Sequence, residues 1–197
     1  MNKLYGEIRK SIKKYKLHVL KDVIIFIIIT LTIHYGYRYW ANSAHYWPIE
    51  NQMKLAHNEM AWIVFNQSVW LIDHVLKIPV TTDENRFIYF QNNGFIAINP
   101  GCSGLKPILQ FILLILIFPG PWKHKAWFIP MGIVLVHLTN LFRITGLAVV
   151  TITMPEYWDF AHDNLFRPFF YVVIFLLWVW WAEKFRRPSR SAGATSA

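Results

Sequence analysis

A lone cysteine lies in a segment whose neighbours suit nucleophilic chemistry. Cys102 is the single cysteine among 197 residues, so it cannot form an internal disulfide and serves either packing or chemistry. Gly101, Ser103 and Gly104 flank it, which leaves little crowding where a substrate backbone could approach. The apolar run 105–118 follows at once, and a helix beginning there would place its positive dipole end near the sulfur. This placement favours the thiolate, which is the form that attacks carbonyl groups.

An arginine inside an apolar run is the second candidate for chemistry. Arg143 lies within residues 126–153, where a charged side chain is costly and marks function or a pairing partner. Its alternative role is contact with lipid headgroups near the end of the run. Asn140 lies one turn earlier on the same face and is expected to orient Arg143. His137, deeper in the run, is interpreted as a hydrogen-bonding residue between helices.

A histidine beside an aspartate is the third candidate. His162 and Asp163 lie in the polar stretch 159–164, which is interpreted as an exposed loop before the last apolar run. Histidine changes its charge near neutral pH and often acts as an acid or base, although a histidine in an exposed loop usually has no special role. Arg167 is expected to pair with Asp163 or to contact headgroups.

The composition indicates a membrane protein. Hydrophobic residues make up 55% of the chain and aromatic residues 17%, which is rich for a soluble domain. The net charge of +9 comes mostly from lysines and arginines that flank the apolar runs, a membrane-protein pattern, so no nucleic-acid partner is predicted. No small-residue cleavage site follows the first run, which is interpreted as an anchor. Transmembrane spans are predicted at residues 23–37, 105–118, 126–153 and 168–181.

Two further segments have patterns of their own. Residues 55–76 mix regularly spaced polar residues with large apolar ones, which predicts an amphipathic helix in the membrane interface; a fifth span is the alternative. Residues 87–90 and 95–98 surround an Asn-Gly signal, which predicts a small outer-side hairpin leading into Cys102, with an irregular loop as the alternative. The predicted fold class is therefore an all-α integral membrane protein with about four transmembrane helices and one interfacial amphipathic helix.

The distribution of positive charge predicts the orientation. The N-terminal lysines, the loop containing Lys123 and Lys125, and the arginine-rich tail can all be cytoplasmic if residues 55–76 do not cross. Both termini then lie in the cytoplasm, and Cys102 lies on the outer face of the inner membrane. Cys102 precedes Lys123 by 21 residues and Arg143 follows it by 20. At about 1.5 Å per helical residue, thiol and guanidinium are expected at the same height, with His162 within reach.

Taken together, these residues resemble the exosortases and archaeosortases, a family of multi-pass membrane cysteine transpeptidases. The resemblance covers residues 85–183, and residues 1–84 carry no matching motif. The chain is short for the family and resembles its compact bacterial members. It lacks the glycine that members often carry shortly after the histidine. The motifs are Pro100-Gly101-Cys102-Ser103-Gly104 opening one span, Asn140-Leu141-Phe142-Arg143 late in the next, and His162-Asp163 before the last.

The resemblance implies a reaction and its partners. Cys102 would form a thioester with a carbonyl in the C-terminal sorting segment of an exported protein, with His162 as general base and acid. Arg143 would stabilise the thiolate or the oxyanion, with Asn140, Ser103 and Asp163 in support. The expected partners are such exported proteins, membrane lipids and an acceptor nucleophile that the sequence does not name. No metal or cofactor is predicted, because the histidines lack ligand spacing and no nucleotide fingerprint occurs.

The predicted organisation has three parts. Residues 1–84 hold a basic segment, an anchor helix and the amphipathic helix; residues 85–183 form the catalytic membrane core; residues 184–197 form a basic, disordered cytoplasmic tail. Two other functions fit the same sequence. One is a non-enzymatic membrane scaffold for polysaccharide or protein export, with Cys102 as packing. The other is a small transporter, with Arg143 and His137 lining a polar path.

Reporter fusions test the predicted topology. Fusions after Trp47, Asn92 and Asp159 should report the outer compartment, and fusions after Lys123 and Arg187 should report the cytoplasm. The measurement is the activity of compartment-specific reporter enzymes in intact cells. Opposite locations for the Trp47 and Asn92 fusions would mean that residues 55–76 cross the membrane.

Overall fold

The computed structural model describes residues 2–185, with side-chain surroundings from residue 20 onward. The chain divides into two compact units, Met1–His45 and Tyr46–Ala197. The first unit consists of one long helix, α1, Asn2–Asn42. Its stretch Leu20–Asn42 is rich in isoleucine and contains the predicted span 23–37. The tail predicted to be disordered lies almost entirely outside the described residues.

The second unit contains every residue predicted to do chemistry. Its elements are helix α2, Glu50–Trp70; strands β1, Thr81–Thr82, β2, Phe87–Tyr89, and β3, Phe95–Ala97; and helices α3, Leu105–Ile117, α4, Trp122–Thr153, α5, Trp158–Phe160, and α6, Arg167–Phe185.

The described part of the chain has four segments long and apolar enough to cross a membrane. They are Leu20–Asn42, Pro100–Ile117, Trp122–Thr153 and Pro155–Phe185. This result confirms the predicted fold class of an all-α integral membrane protein. Helix α2 is not one of the four segments.

The last segment differs from the prediction. A 3₁₀ turn, Pro155–Tyr157, leads into α5, and a π-helical turn, Ala161–Phe166, connects α5 directly to α6. His162 therefore lies in a continuous helical segment, and its predicted placement in an exposed loop is wrong. The polar run that suggested a loop occupies a π turn, a feature that accommodates an extra residue within a helix.

The connection between α3 and α4 is shorter than predicted. Helix α4 already begins at Trp122, so Lys123 and Lys125 lie in its first turn and not in a loop. Lys125 is buried, and its Nζ donates to the carbonyl oxygens of Leu116 and Phe118 at 2.8 Å each. It therefore satisfies carbonyl groups that the end of α3 would otherwise leave unpaired.

Helices α3 and α4 pack closely because a glycine faces an aromatic ring. A Cβ atom added at Gly132 would overlap the ring of Phe111, and both residues are buried. At the same end of the bundle, Trp181 of α6 donates from its Nε1 to the carbonyl oxygen of Pro119 at 3.2 Å. The three helices thus share one tightly packed interface.

A small antiparallel sheet with strand order β1-β2-β3 lies between α2 and α3 in the chain. The predicted hairpin is confirmed as β2 and β3, with Ile88 opposite Ile96, and β1 adds a strand that was not predicted. The buried isoleucines Ile88, Ile96 and Ile98 belong to one core cluster with Ile144 and Ala148 of α4. The sheet therefore packs on the half of α4 that carries Arg143.

Helix α2 contacts the cysteine turn near its start and α4 near its end. His57 contacts the segment of Ser103, whereas Gln67, ten residues later, contacts His137 of α4. These two positions lie about 15 Å apart along α2. Along α4, however, Asn140 beside the cysteine turn and His137 are only about 4.5 Å apart. The interfacial placement of α2 stays a prediction.

Candidate active site

The cysteine lies in a short turn between the sheet and α3. Cys102 ends a 3₁₀ turn, Pro100–Cys102, and its N–H donates to the carbonyl oxygen of Asn99 at 2.9 Å. The Asn99 side chain accepts from the N–H of Gly101, also at 2.9 Å. Cys102 is half-buried and packs against the core cluster beneath the sheet. The turn is thus held by its own backbone and by Asn99.

A buried asparagine of α4 holds this turn in place. Asn140 is fully buried, and its Nδ2 donates to the carbonyl oxygen of Cys102 at 2.8 Å. Gly104 lies against the same amide, since a Cβ there would come 2.9 Å from the Asn140 Nδ2. Gly104 also has a positive φ of 75°, so both its backbone conformation and the close approach require glycine. The expectation that Asn140 orients Arg143 is not met, because the amide binds the cysteine turn.

Arg143 and His162 are in direct contact. The Arg143 Nη2 lies 2.9 Å from His162 Nε2, and His162 Nδ1 lies 2.6 Å from Asp163 Oδ1. The same Asp163 oxygen lies 3.2 Å from Arg167 Nη1, so the expected pairing of these two residues is present. Four side chains from α4 and the last helical segment therefore form one continuous polar chain.

The hydrogen-bond partners of His162 define which of its ring nitrogens carries the proton. A guanidinium can only donate, so His162 Nε2 accepts from Arg143 and carries no proton. The other ring nitrogen, Nδ1, then carries the proton and donates to the carboxylate of Asp163. His162 is thus held in the tautomer whose Nε2 can take up a proton once Arg143 releases it.

The orientation of the His162 ring has a second cause. Trp158 stacks on it with ring centroids 4.8 Å apart and an interplanar angle of 6°. Trp158 precedes His162 by four residues, a spacing that brings side chains together on a helix. The sequence analysis did not predict this contact, because it placed His162 in a loop, where a four-residue spacing does not bring two side chains together.

Cys102 and Arg143 are close enough to interact electrostatically. Arg143 is half-buried, and its Nε is a buried donor without a hydrogen-bond partner in the described part of the chain. The structure therefore brings together Cys102, Arg143 and His162, with Asn140 and Asp163 in contact with them. The site retains one unused guanidinium donor.

His57 of α2 is a neighbour of the cysteine turn that the sequence analysis missed. Its Nδ1 lies 3.1 Å from the carbonyl oxygen of Pro100 and 2.9 Å from Ser103 Oγ. A carbonyl oxygen only accepts, so Nδ1 carries the proton in this arrangement. Ser103 is fully buried, and its Oγ also accepts from the N–H of Leu105 at 3.3 Å. Burial lowers the pKa of His57 below its ordinary value, which favours the neutral ring.

The sequence held only a weak signal for this role. His57 belongs to the polar face of an amphipathic helix, where most residues contact water. Arg86 was missed as well: its Nη1 donates to Asn58 Oδ1 at 2.6 Å, and its guanidinium lies 5.2 Å from the Trp62 ring centroid. The predicted role of His137 is confirmed by its 2.6 Å contact with Gln67 Oε1. Helix α2 is therefore tied to the sheet, to the cysteine turn and to α4.

A comparison with protein families identifies the class. The model of the transmembrane exosortase family, Exosortase_EpsH, matches residues 39–182, and the chain belongs to this family. The match begins well before residue 85, where the resemblance was expected to begin, so it includes α2. Comparisons with curated proteins and with solved structures found no match.

Family membership and fold agree. The chain is a multi-pass membrane protein, and at the level of the family it is a membrane-embedded sorting transpeptidase. Among the described residues, no three His, Cys, Asp or Glu side chains lie close enough together to hold a metal ion.

Two substitutions test whether His57 holds the cysteine turn through Nδ1. Asparagine places its Nδ2 where histidine has Nδ1, whereas glutamine places its amide farther out. His57→Gln should lower the free energy of unfolding by about 1 kcal/mol, the net value of one such hydrogen bond, and His57→Asn should cost clearly less. The measurement is thermal unfolding of the full chain in detergent.

The pH dependence provides the control. Because the pKa of His57 is lowered in the folded state, the unfolded state binds more protons as the pH falls below the ordinary histidine range. Acidification should therefore destabilise the parent more than His57→Asn. Equal losses for the Asn and Gln variants at neutral pH would show that Nδ1 does not anchor the turn.

Proposed function

We propose that this protein cleaves C-terminal sorting signals of exported proteins and transfers the remaining protein to an envelope acceptor. The reaction passes through a thioester on Cys102. The observation that carries the proposal is the set of contacts around Cys102. Asn140 binds the Cys102 carbonyl oxygen at 2.8 Å, and Arg143, three residues later on the same helix, lies near the thiol and contacts His162 directly.

The first half of the reaction breaks a peptide bond. His162 Nε2, released from Arg143 when substrate binds, takes the proton of the Cys102 thiol. The resulting thiolate attacks the scissile carbonyl carbon and forms a carbon–sulfur bond, while the carbonyl oxygen becomes an oxyanion. The oxyanion collapses, the carbon–nitrogen bond breaks, and the leaving amine takes a proton from His162. The products are the thioester on Cys102 and the free tail segment.

The second half regenerates the thiolate. An acceptor nucleophile attacks the thioester carbonyl, and its proton passes to His162 Nε2. The sulfur leaves as the thiolate and takes the proton back from Nε2, which restores the free site, and the acyl group stays on the acceptor. Asp163 stabilises the imidazolium that forms, because its carboxylate already accepts from Nδ1 at 2.6 Å.

Arg143 is the group that stabilises the developing charge. In the free site one of its nitrogens donates to His162 Nε2. A bound substrate offers a stronger acceptor, since the oxyanion carries the charge that a guanidinium prefers. Transfer of this hydrogen bond to the oxyanion releases Nε2 for proton transfer. The unpartnered Nε gives Arg143 a second donor for the same oxygen.

The proposed location follows from the distribution of charge. The protein lies in the inner membrane with both termini in the cytoplasm, and the end of the bundle that carries Cys102 faces outward. An exported substrate retained by an apolar tail would then present the segment before its tail to Cys102.

Substitution of the nucleophile is the direct test. Cys102→Ala and Cys102→Ser should abolish processing of a co-expressed exported protein from the same genome that ends in an apolar helix and a basic segment. Serine is mostly protonated at neutral pH and lacks thiolate character, so it cannot replace cysteine. The measurement is the size and location of the substrate in cells with matched amounts of each variant.

Thr145→Ala is the matched control. Thr145 lies on α4 near Arg143, but its hydroxyl donates only within its own helix, to the carbonyl oxygens of Leu141 and Phe142. This variant should process the substrate normally. Normal processing by Cys102→Ala would exclude the enzymatic function and favour the scaffold.

A further inference from the structure

The hydrogen bonds of the hairpin define which way each backbone group of β3 points. The N–H of Ile98 donates to the carbonyl oxygen of Arg86 at 3.0 Å, and the N–H of Phe90 donates to that of Gly94 at 2.9 Å. In an antiparallel pair, directly opposite residues alternate between those that exchange hydrogen bonds and those that do not. Ile96, opposite Ile88, therefore bonds across the hairpin as well.

It follows that the backbone groups of the other residues of β3 point away from β2. The N–H and C=O groups of Phe95 and Ala97 point to the opposite side, where the strand order β1-β2-β3 places no further strand among the described residues. The same alternation holds on β2, since the N–H of Asp83 donates to the carbonyl oxygen of Phe87 on the β1 side. The edge of β3 thus presents four backbone groups in the spacing that another strand would require.

This edge leads directly to the nucleophile. β3 ends at Ala97, and only four residues separate it from Cys102. Beside the edge, on the exposed face of the sheet, Phe87, Tyr89 and Phe95 form an aromatic cluster with ring centroids 5.6–6.2 Å apart. Phe95 has 55% of its surface exposed. A chain laid along β3 would therefore meet both unpaired backbone groups and aromatic rings before it reached Cys102.

We propose, on the basis of the proposed function, that the edge of β3 binds the substrate segment that precedes the scissile bond. The segment adds to the sheet as an extended strand parallel to β3. Backbone hydrogen bonds supply affinity that does not depend on side chains, and alternate side chains contact the aromatic cluster.

The parallel direction follows from the order of structural elements, which is the same in this protein and in its proposed substrate. In this protein a strand is followed by Cys102 and then by the apolar helix α3. The proposed substrate has the same order: an extended segment, the scissile bond and an apolar helix. A parallel strand therefore delivers the scissile carbonyl to Cys102 and directs the substrate helix along the course of α3.

Proline on the two opposite edges of the sheet tests the proposal. Proline lacks an N–H and is tolerated at a sheet edge where that group faces outward. Ala97→Pro removes a donor from the β3 edge and obstructs an incoming strand, so processing should fall about tenfold or more. Thr82→Pro makes the same change on the outer edge of β1, because Thr82 lies opposite Ile88 and its N–H also points outward. This control should process the substrate normally.

Cross-linking tests the geometry without depending on catalysis. In a chain with Cys102→Ser and Phe95→Cys, the new cysteine is the sole thiol. Single cysteines are placed one at a time along the segment preceding the apolar helix in the co-expressed substrate. Disulfide yield should alternate with a period of two residues, as expected for a strand. A helical period, absence of cross-links, or cross-links only between two copies of this protein would overturn the proposal.

Different results would contradict the enzymatic function and the strand addition. If processing depends on Cys102 but is unchanged in Ala97→Pro, the strand addition is wrong and the enzymatic function stands. If Cys102→Ala still processes the substrate, the enzymatic function is wrong, and the strand addition that rests on it is withdrawn with it.

Discussion

One buried hydrogen bond determines where the cysteine can be. The Asn140 amide has no access to solvent, so its donor must be satisfied within the protein, and the carbonyl oxygen of Cys102 satisfies it at 2.8 Å. Loss of such a partner would leave a buried polar group unpaired, at a cost of about 1–3 kcal/mol. Gly104 makes the bond possible, because any side chain there would collide with the amide. The cysteine turn is thereby fixed to α4 less than one turn from Arg143.

The rest of the site is built outward from this bond. Arg143 is carried by the same helix as Asn140, and its contact with His162 joins α4 to the π turn that precedes α6. Asp163 and Trp158 then hold the His162 ring from two directions. On the opposite side of the cysteine turn, His57 connects it to α2. These side chains come from α2, α4, α5 and the π turn, so the arrangement depends on long-range packing.

Much of the fold could be predicted from local patterns. The four spans follow from the length and composition of the apolar runs, and the hairpin follows from two short apolar runs around an Asn-Gly turn. The proximity of Cys102 and Arg143 follows from nearly equal distances along two helices joined by a short turn. Their predicted catalytic roles stay predictions, since geometry alone does not establish them.

The other features of the fold and of the site depend on contacts between distant segments, which local sequence patterns do not predict. A π turn and a loop both tolerate polar residues, so the run around His162 indicates either one until packing selects the helix. Asn140 shares a helix face with Arg143, but its partner was determined by the close approach of Gly104 from another helix. His57 resembles an ordinary solvent-facing residue of an amphipathic helix, and only the packing of α2 against the cysteine turn gives it a partly buried contact.

We propose that Arg143 serves the reacting centre with a planar set of donors. Arg143→Lys keeps the positive charge but loses the guanidinium geometry that contacts His162 and supplies the unpartnered Nε. The decisive measurement is substrate cleavage in cells with matched amounts of the parent and the Lys variant. The account predicts normal insertion and a loss of cleavage on the order of a hundredfold or more, as for removal of one oxyanion donor. Near-normal cleavage by Arg143→Lys would contradict it, because a residue that only anchors the helix to lipid headgroups can be either arginine or lysine.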